Sequence, residues 1–306
     1  MLVVERSSGT LRDLHFRDFP GFIRPGDSLV LNSSRVIPSR LFGHSESGAA
    51  IQLFLLKPAG ELRWIALGRP GRRLLPHRTV TFERGVTAHV LETLDRGERL
   101  VEFQGVASNE ELLAFLEEFG HIPLPPYIHR ADTTLDRTRY QTVFSQERGS
   151  VAAPTAGLHF TEQMLDQLNV PIAHVTLHVG LGTFQPIDRE DFENHSLHHE
   201  SYHIAKEEWR KIEQAERVVA VGTTSVRTIE SAARSGQLAD ETNLFLYPGA
   251  GFQKTGALLT NFHLPKSSLL LLVCAFGGTE LILNAYRHAV EQRYRFFSYG
   301  DCMLVI

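Results

Sequence analysis

Cysteine is scarce in this 306-residue chain: there are two, Cys274 and Cys302, and no CxxC pair. That excludes a zinc ribbon and a disulfide framework and, beside fifteen histidines, fits a reducing cytoplasm. Long apolar runs are lacking as well. The longest, Leu269 to Phe276, is too short to span a bilayer. The opening MLVVERSSGT has neither the basic nor the apolar block of a secretion signal. There is no GxGxxG or Walker loop, so no nucleotide class follows from a phosphate motif. A net charge of −4 argues against indiscriminate nucleic-acid binding but leaves room for local patches. A soluble, cytoplasmic, monomeric protein without membrane contact is expected.

What is present reads as two textures. Apolar residues make up 42% of the chain, ample for a core in one large domain or two. SLVLNSSRVIP is a strand followed by a polar turn. From about Arg40 to Gln104, short runs such as AAIQLFLL, RWIALG, RTVTFE, VTAHVLET and RLVEFQG are separated by turn residues. Five or six strands at that spacing predict a small antiparallel barrel. NEELLAFLEEFG then has helical spacing and a stop at Gly120. Beyond HIPLPPYIHR, strands and helices alternate. TEQMLDQL is a helix capped by Thr161, IAHVTLHVG a strand, KEEWRKIEQAE a helix, and RVVAVG a buried strand feeding the helix SVRTIESAARSG. SSLLLLVCAF reads as another buried strand, ELILNAYRHAVEQ as a helix and RFFSYGDCMLVI as a last strand. Such alternation predicts a largely parallel or mixed sheet covered by helices. The expected architecture is an α/β domain (1–39 and 125–306) interrupted by a β-barrel (40–124).

Three bare loops fall where strands end, which in α/β folds is where ligands gather. VAAPTAGLHFT (151–161) offers small residues, Thr155 and Gly157 among them, before His159. HVGLGTFQP puts His174, Thr176 and His178 on one strand face and follows with Gly180, Gly182 and Thr183. In VGTTSVR a strand passes through Gly222 into Thr223, Thr224 and Ser225 at a helix start, with Arg227 beyond. Free N–H groups and the helix dipole there suit a carboxylate or phosphate; a plain cap is an equal reading. The cluster NHSLHHESYH places His195, His198 and His199 together with Glu200, but no convincing ligand set accompanies them and no metal is expected. Six arginines between Arg63 and Arg84 face one acid, Glu83, as a solvated face or an anion-binding patch.

Taken in order, LNSSRVIPSRLFG, IPLPPYI, RYQTVF, GSVAAPTAGLHFT, VTLHVGLGTFQP, VGTTSVRTIESAA, LTNFHLPKSSLLLLV and YRFFSYGD closely resemble the S-adenosylmethionine:tRNA ribosyltransferase-isomerase family of queuosine biosynthesis. The resemblance covers nearly the whole chain. It implies a mixed α/β, barrel-like catalytic domain with an inserted small antiparallel β-barrel. It also implies transfer and isomerisation of the ribosyl group of S-adenosylmethionine, a co-substrate, onto 7-aminomethyl-7-deazaguanine at the tRNA wobble position, without metal or redox cofactor. Under it, His159 or His178 is the base that takes a C5′ proton made acidic by the sulfonium. Thr155, Gly157, Gly180, Gly182 and Thr183 line the substrate pocket. Gly222, Thr223, Thr224 and Ser225 take the methionine carboxylate, supported by Arg227, and Arg69, Arg72 and Arg73 meet tRNA phosphates. The family pattern departs at two points. It usually starts with a further segment of the type LIAQxP and RDxSRL, and it has Met where Leu197 stands.

Overall fold

Strands buried on both faces need no alternation of polarity, and Asp27–Asn32 is buried at every position. The computed structural model describes residues 1–125, 127–180, 187 and 197–306. In chain order the strands begin with β1 (Leu2–Val4), β2 (Leu11–Asp13) and β3 (Asp27–Asn32). Next, β4 (Ser34–Val36) leads to β5 (Arg40–Ser45), β6 (Ala50–Gly60), β7 (Arg63–Arg69), β8 (Thr79–Thr81), β9 (Thr87–Thr93) and β10 (Arg99–Gln104). Helices α1 (Asn109–Phe119) and α2 (Asp136–Arg139) precede β11 (Glu147–Ser150). A 3-10 turn at Thr155–His159, α3 (Glu162–Asp166), β12 (Ile172–Leu177) and β13 (Glu200–His203) follow. Then come α4 (Lys206–Glu213), β14 (Arg217–Val221), α5 (Gly222–Ser235), β15 (Ala239–Thr242), β16 (Thr255–Asn261), α6 (Ser268–Gly277), α7 (Thr279–Glu291) and β17 (Cys302–Val305).

Two units result: Met1–Arg35 with Gln141–Glu147 and Ala153–Ile306, and Val36–Tyr140 with Arg148–Ala152. The second is built on a closed antiparallel barrel in the order β10-β7-β6-β5-β8-β9. Its strands alternate as period-2 packing requires: Leu41, Ile51, Leu53, Ala66, Val80 and Val101 point inward and are buried. The apolar stripe of α1, Leu112, Phe115 and Leu116, joins that core. Ser108 caps α1 by accepting from the N–H of Glu111 at 3.2 Å, and the helix ends at Gly120. This unit runs on to Tyr140 because Arg137 reaches back to the carbonyls of Glu117 and Gly120, while His121 bridges to Arg40.

Among the described residues the first unit carries a mixed nine-stranded sheet in the order β15-β13-β12-β3-β14-β16-β17-β1-β2. Strands β12, β3, β14 and β16 are mutually parallel neighbours, whereas β17 pairs antiparallel with β16 and parallel with β1. One expectation fails here. SSLLLLVCAF is helix α6, not a strand. A short apolar run carries no periodicity to tell the two apart; Leu-rich stretches favour helix, and the ends decide. The Ser267 hydroxyl accepts from the N–H of Leu270 at 3.2 Å, and Gly278, with φ 85°, stops the helix. Among the described residues no single helix is long and apolar enough to cross a membrane; α6 and α7, taken together, bend by 115° at their junction.

Candidate active site

Parallel strands finish on the same edge of their sheet, so Asn32, Leu177, Val221 and Asn261, the last residues of β3, β12, β14 and β16, lie along one edge. Asn32 joins two of these ends. Its amide nitrogen donates to Leu177 O and its oxygen accepts from the Leu177 N–H, both at 3.1 Å. The bare 3-10 turn lies against the other two. A side chain on Gly222 would come within 3.7 Å of Ala156 Cβ, and His159 Nε2 is 3.2 Å from Asn261 Oδ1.

The bareness of that turn has a cause within the protein. A Cβ on Gly157 would sit 2.6 Å from Phe144 Cζ and 2.8 Å from Thr142 Cγ2, so glycine lets the turn settle onto these side chains. Gly157 was expected to admit substrate; the space its hydrogen frees is filled by Phe144 and Thr142. Thr155 opens the turn and is half-buried. His159 lies with its ring 5.2 Å from that of Phe16 and lines a cleft of about 530 Å³ together with Leu158, Arg295, Tyr299 and Asp301. Burial pushes its pKa below the ordinary value; the Asn261 hydrogen bond opposes this in part.

His178 has the same tendency. Burial lowers its pKa, opposed by the Glu147 carboxylate, and its Nδ1 is buried without a hydrogen-bond partner among the described residues. His174, on the same strand face, is also depressed by burial, with its ring 6.3 Å from Phe144. The Asp301 carboxylate in the same cleft is the weaker base. At Asp301 burial raises the pKa, but the hydrogen bonds and charge of Arg295 outweigh it and hold the group below its usual value. The thiol of Cys302, also lining the cleft, is pushed up to about 12 by burial and is therefore no nucleophile.

At the start of α5 the N-cap residue, Val221, makes no side-chain cap hydrogen bond. Gly222 has φ +85°, a conformation open to glycine at little cost. Thr223, Thr224 and Ser225 are all buried. Ser225 spends its hydroxyl on Val221 O at 2.7 Å, whereas Thr224 Oγ1 is buried with no partner among the described residues, 3.5 Å from where a Gly222 side chain would begin. Arg227 does not turn toward this helix start. Its guanidinium pairs with Glu200, both side chains 5% exposed, and donates to Leu244 O and Thr242 O. The other Glu200 oxygen accepts from the Gly180 N–H at 2.7 Å. Gly180 and Arg227 are thus joined through one carboxylate. Gly182, Thr183 and His195 lie outside the described residues. Among those described, no group of three or more His, Cys, Asp or Glu is placed to hold a metal ion.

On the barrel, the arginine cluster sorts itself. Arg63 pairs with Glu102 at 2.8 Å, Arg78 with Glu46 at 3.2 Å and Arg84 with Glu118 at 2.6 Å. Arg69, Arg72 and Arg73 are exposed; Arg73 donates to the Ser47 hydroxyl at 3.0 Å.

The model of the queuosine biosynthesis protein family matches residues 1–305. The chain belongs to this family. It is 52% identical to the S-adenosylmethionine:tRNA ribosyltransferase-isomerase of Solibacter usitatus, covering all of this chain and 92% of that one. It is 49% identical to the enzyme of the same name from Syntrophomonas wolfei, covering all of this chain and 90% of its relative. A crystal structure of the S-adenosylmethionine tRNA ribosyltransferase of Thermotoga maritima is 34% identical, with TM-score 0.52 over all of this chain and 91% of that one.

Against this family background, the residues that composition and spacing passed over are Asn32 and Asn261. Both are 1% exposed at the ends of apolar strands. A buried amide in such a run is itself a signal, since it must find partners or cost stability.

Proposed function

We propose that this chain is a S-adenosylmethionine:tRNA ribosyltransferase-isomerase. It moves the ribosyl group of S-adenosylmethionine onto the aminomethyl group of 7-aminomethyl-7-deazaguanine at the tRNA wobble position. Adenine and methionine leave, and the ribose is rearranged into the epoxycyclopentane of epoxyqueuosine. The observation that carries this reading is the family match over residues 1–305; the half-buried histidines of the 3-10 turn and of the chain just after β12 are suited to the chemistry it needs.

The sulfonium of S-adenosylmethionine acidifies the adjacent C5′ protons, so the step asks for an uncharged base close to that carbon. Burial keeps His159 and His178 uncharged at neutral pH. His159 is the preferred base because its ring lines an open cleft. The N–H groups at the start of α5, with Thr224 Oγ1, take the methionine carboxylate. Thr155, Thr223, Gly180 and Gly222 shape the pocket. Arg227 serves indirectly: through Glu200 it holds Gly180 in place. Arg69, Arg72 and Arg73 bind tRNA phosphates. The enzyme works in the cytoplasm as a monomer, without membrane, metal or redox cofactor.

The test is adenine release from S-adenosylmethionine, with and without tRNA carrying the aminomethyl-deazaguanine base. Release that depends on the modified base is expected. Release that ignores it, or formation of S-adenosylhomocysteine by methyl transfer, overturns the proposal.

A further inference from the structure

Asn261 closes β16, 1% exposed, and its amide is held on both sides. The nitrogen donates to Phe297 O at 2.9 Å and to Ser298 O at 3.3 Å. Carbonyl oxygens only accept, so the amide orientation is decided by them: nitrogen toward residues 297 and 298, oxygen toward His159. An amide oxygen also only accepts. His159 Nε2, 3.2 Å away, must therefore carry the proton. The opposite tautomer sets two lone pairs against each other, and turning the amide over replaces two donations by two oxygen–oxygen repulsions.

In a neutral imidazole a protonated Nε2 leaves Nδ1 bare. No hydrogen-bond partner occupies His159 Nδ1 among the described residues, and the ring lines the cleft. We propose that Asn261 is a positioning residue: it locks His159 in the Nε2-protonated tautomer, so that the Nδ1 lone pair is the one that accepts the substrate proton. This rests on the reading of His159 as the base, and it names the reacting atom and the group that selects it.

The surroundings keep the ring in that form. Phe16 packs against it, the rings tilted by 36°. Of the charged groups that face it, the Met1 ammonium and Arg295 disfavour an imidazolium while Asp301 favours one; Asp301 is already engaged by Arg295 at 3.0 Å. An amide in place of a carboxylate orients the imidazole without adding a negative charge, which would draw a second proton onto it.

Two measurements decide this. In uniformly 15N-labelled protein at pH 7.5, long-range 1H–15N correlation should show His159, assigned by loss of its signals in His159→Gln, protonated at Nε2 alone. Asn261→Ala should show a tautomer mixture. In turnover, Asn261→Ala should lower kcat by roughly 10- to 100-fold, below the full contribution of a base, with KM for S-adenosylmethionine nearly unchanged. A wild-type His159 protonated at Nδ1 overturns the proposal, as does an Asn261→Ala variant whose His159 keeps the Nε2 proton alone. If Asn261→Ala does not fold, the wild-type spectrum decides alone. If the wild type releases no adenine, the proposed function fails while the spectrum still decides the tautomer.

Discussion

Glu200 and Arg227 form an ion pair in which each side chain is 5% exposed, and the carboxylate's second oxygen holds the Gly180 N–H at 2.7 Å. One carboxylate therefore ties the start of β13, the chain just after β12 and helix α5 together. Removing one member of a buried pair strands the other. Arg227→Ala should cost roughly 3–5 kcal/mol, read from urea unfolding, and Glu200→Leu combined with Arg227→Met should recover much of it. A single variant as stable as wild type shows that the pair contributes nothing to the fold.

Thr224 gives a pair of opposite signs. Its buried hydroxyl lacks a partner among the described residues, so Thr224→Val should leave stability unchanged or raise it slightly. The same change should weaken S-adenosylmethionine binding by roughly tenfold or more, since a hydrogen bond to a charged group is worth about 1.5–3 kcal/mol. Calorimetry of the wild type and Thr224→Val, by melting and by titration, separates the effects. Unchanged affinity places the methionine carboxylate elsewhere.

The choice of base is open to isotope exchange. His159→Ala should abolish exchange of the C5′ hydrogen with deuterated solvent and lower turnover by roughly 10²–10⁴-fold. Exchange that persists there and vanishes in His178→Ala assigns the role to His178.

Phosphate contacts by Arg69, Arg72 and Arg73 predict a salt signature. Each lost contact should reduce the slope of log K against log salt by roughly 0.7–0.9. Reversal of all three to Glu should weaken tRNA binding and leave S-adenosylmethionine binding as it was. An unchanged slope makes the cluster a solvated face.

His263 contributes to the loss of stability in acid. Burial lowers its pKa from 6.5 to about 4, and its Nε2 meets the Thr260 hydroxyl at 2.8 Å. Between those values the unfolded chain binds a proton that the folded chain refuses, so stability falls as pH drops from 6.5 through about 4. The loss amounts to at most roughly 3 kcal/mol. Melting temperatures across that range should drop less steeply in His263→Gln than in wild type.

Local chemistry settled what depends on neighbours in the chain. Short runs set apart by turn residues made the barrel strands legible, and the structure buries their alternate positions. The Thr161 hydroxyl announced α3 before any contact was known and caps it as its position suggests; α1 was legible from its apolar spacing and the stop at Gly120. The order of the family's motifs was readable from residue types alone. The partners of polar groups were not, because they are chosen across the fold. The sequence shows Arg227 five residues beyond a glycine turn; only packing hands it to Glu200, 27 positions away. Gly157 reads as a bare loop residue until Phe144 and Thr142 fill the space beside it. The run from Leu269 to Phe276 carries no period, so its helical state waited on the Ser267 cap and the Gly278 stop. His159 and Asn261, 102 residues apart, meet because β16 ends where the 3-10 turn returns, and the two carbonyls that orient Asn261 come from a third segment. Which nitrogen of a histidine is bare depends on what its other nitrogen touches, and that only the tertiary structure decides.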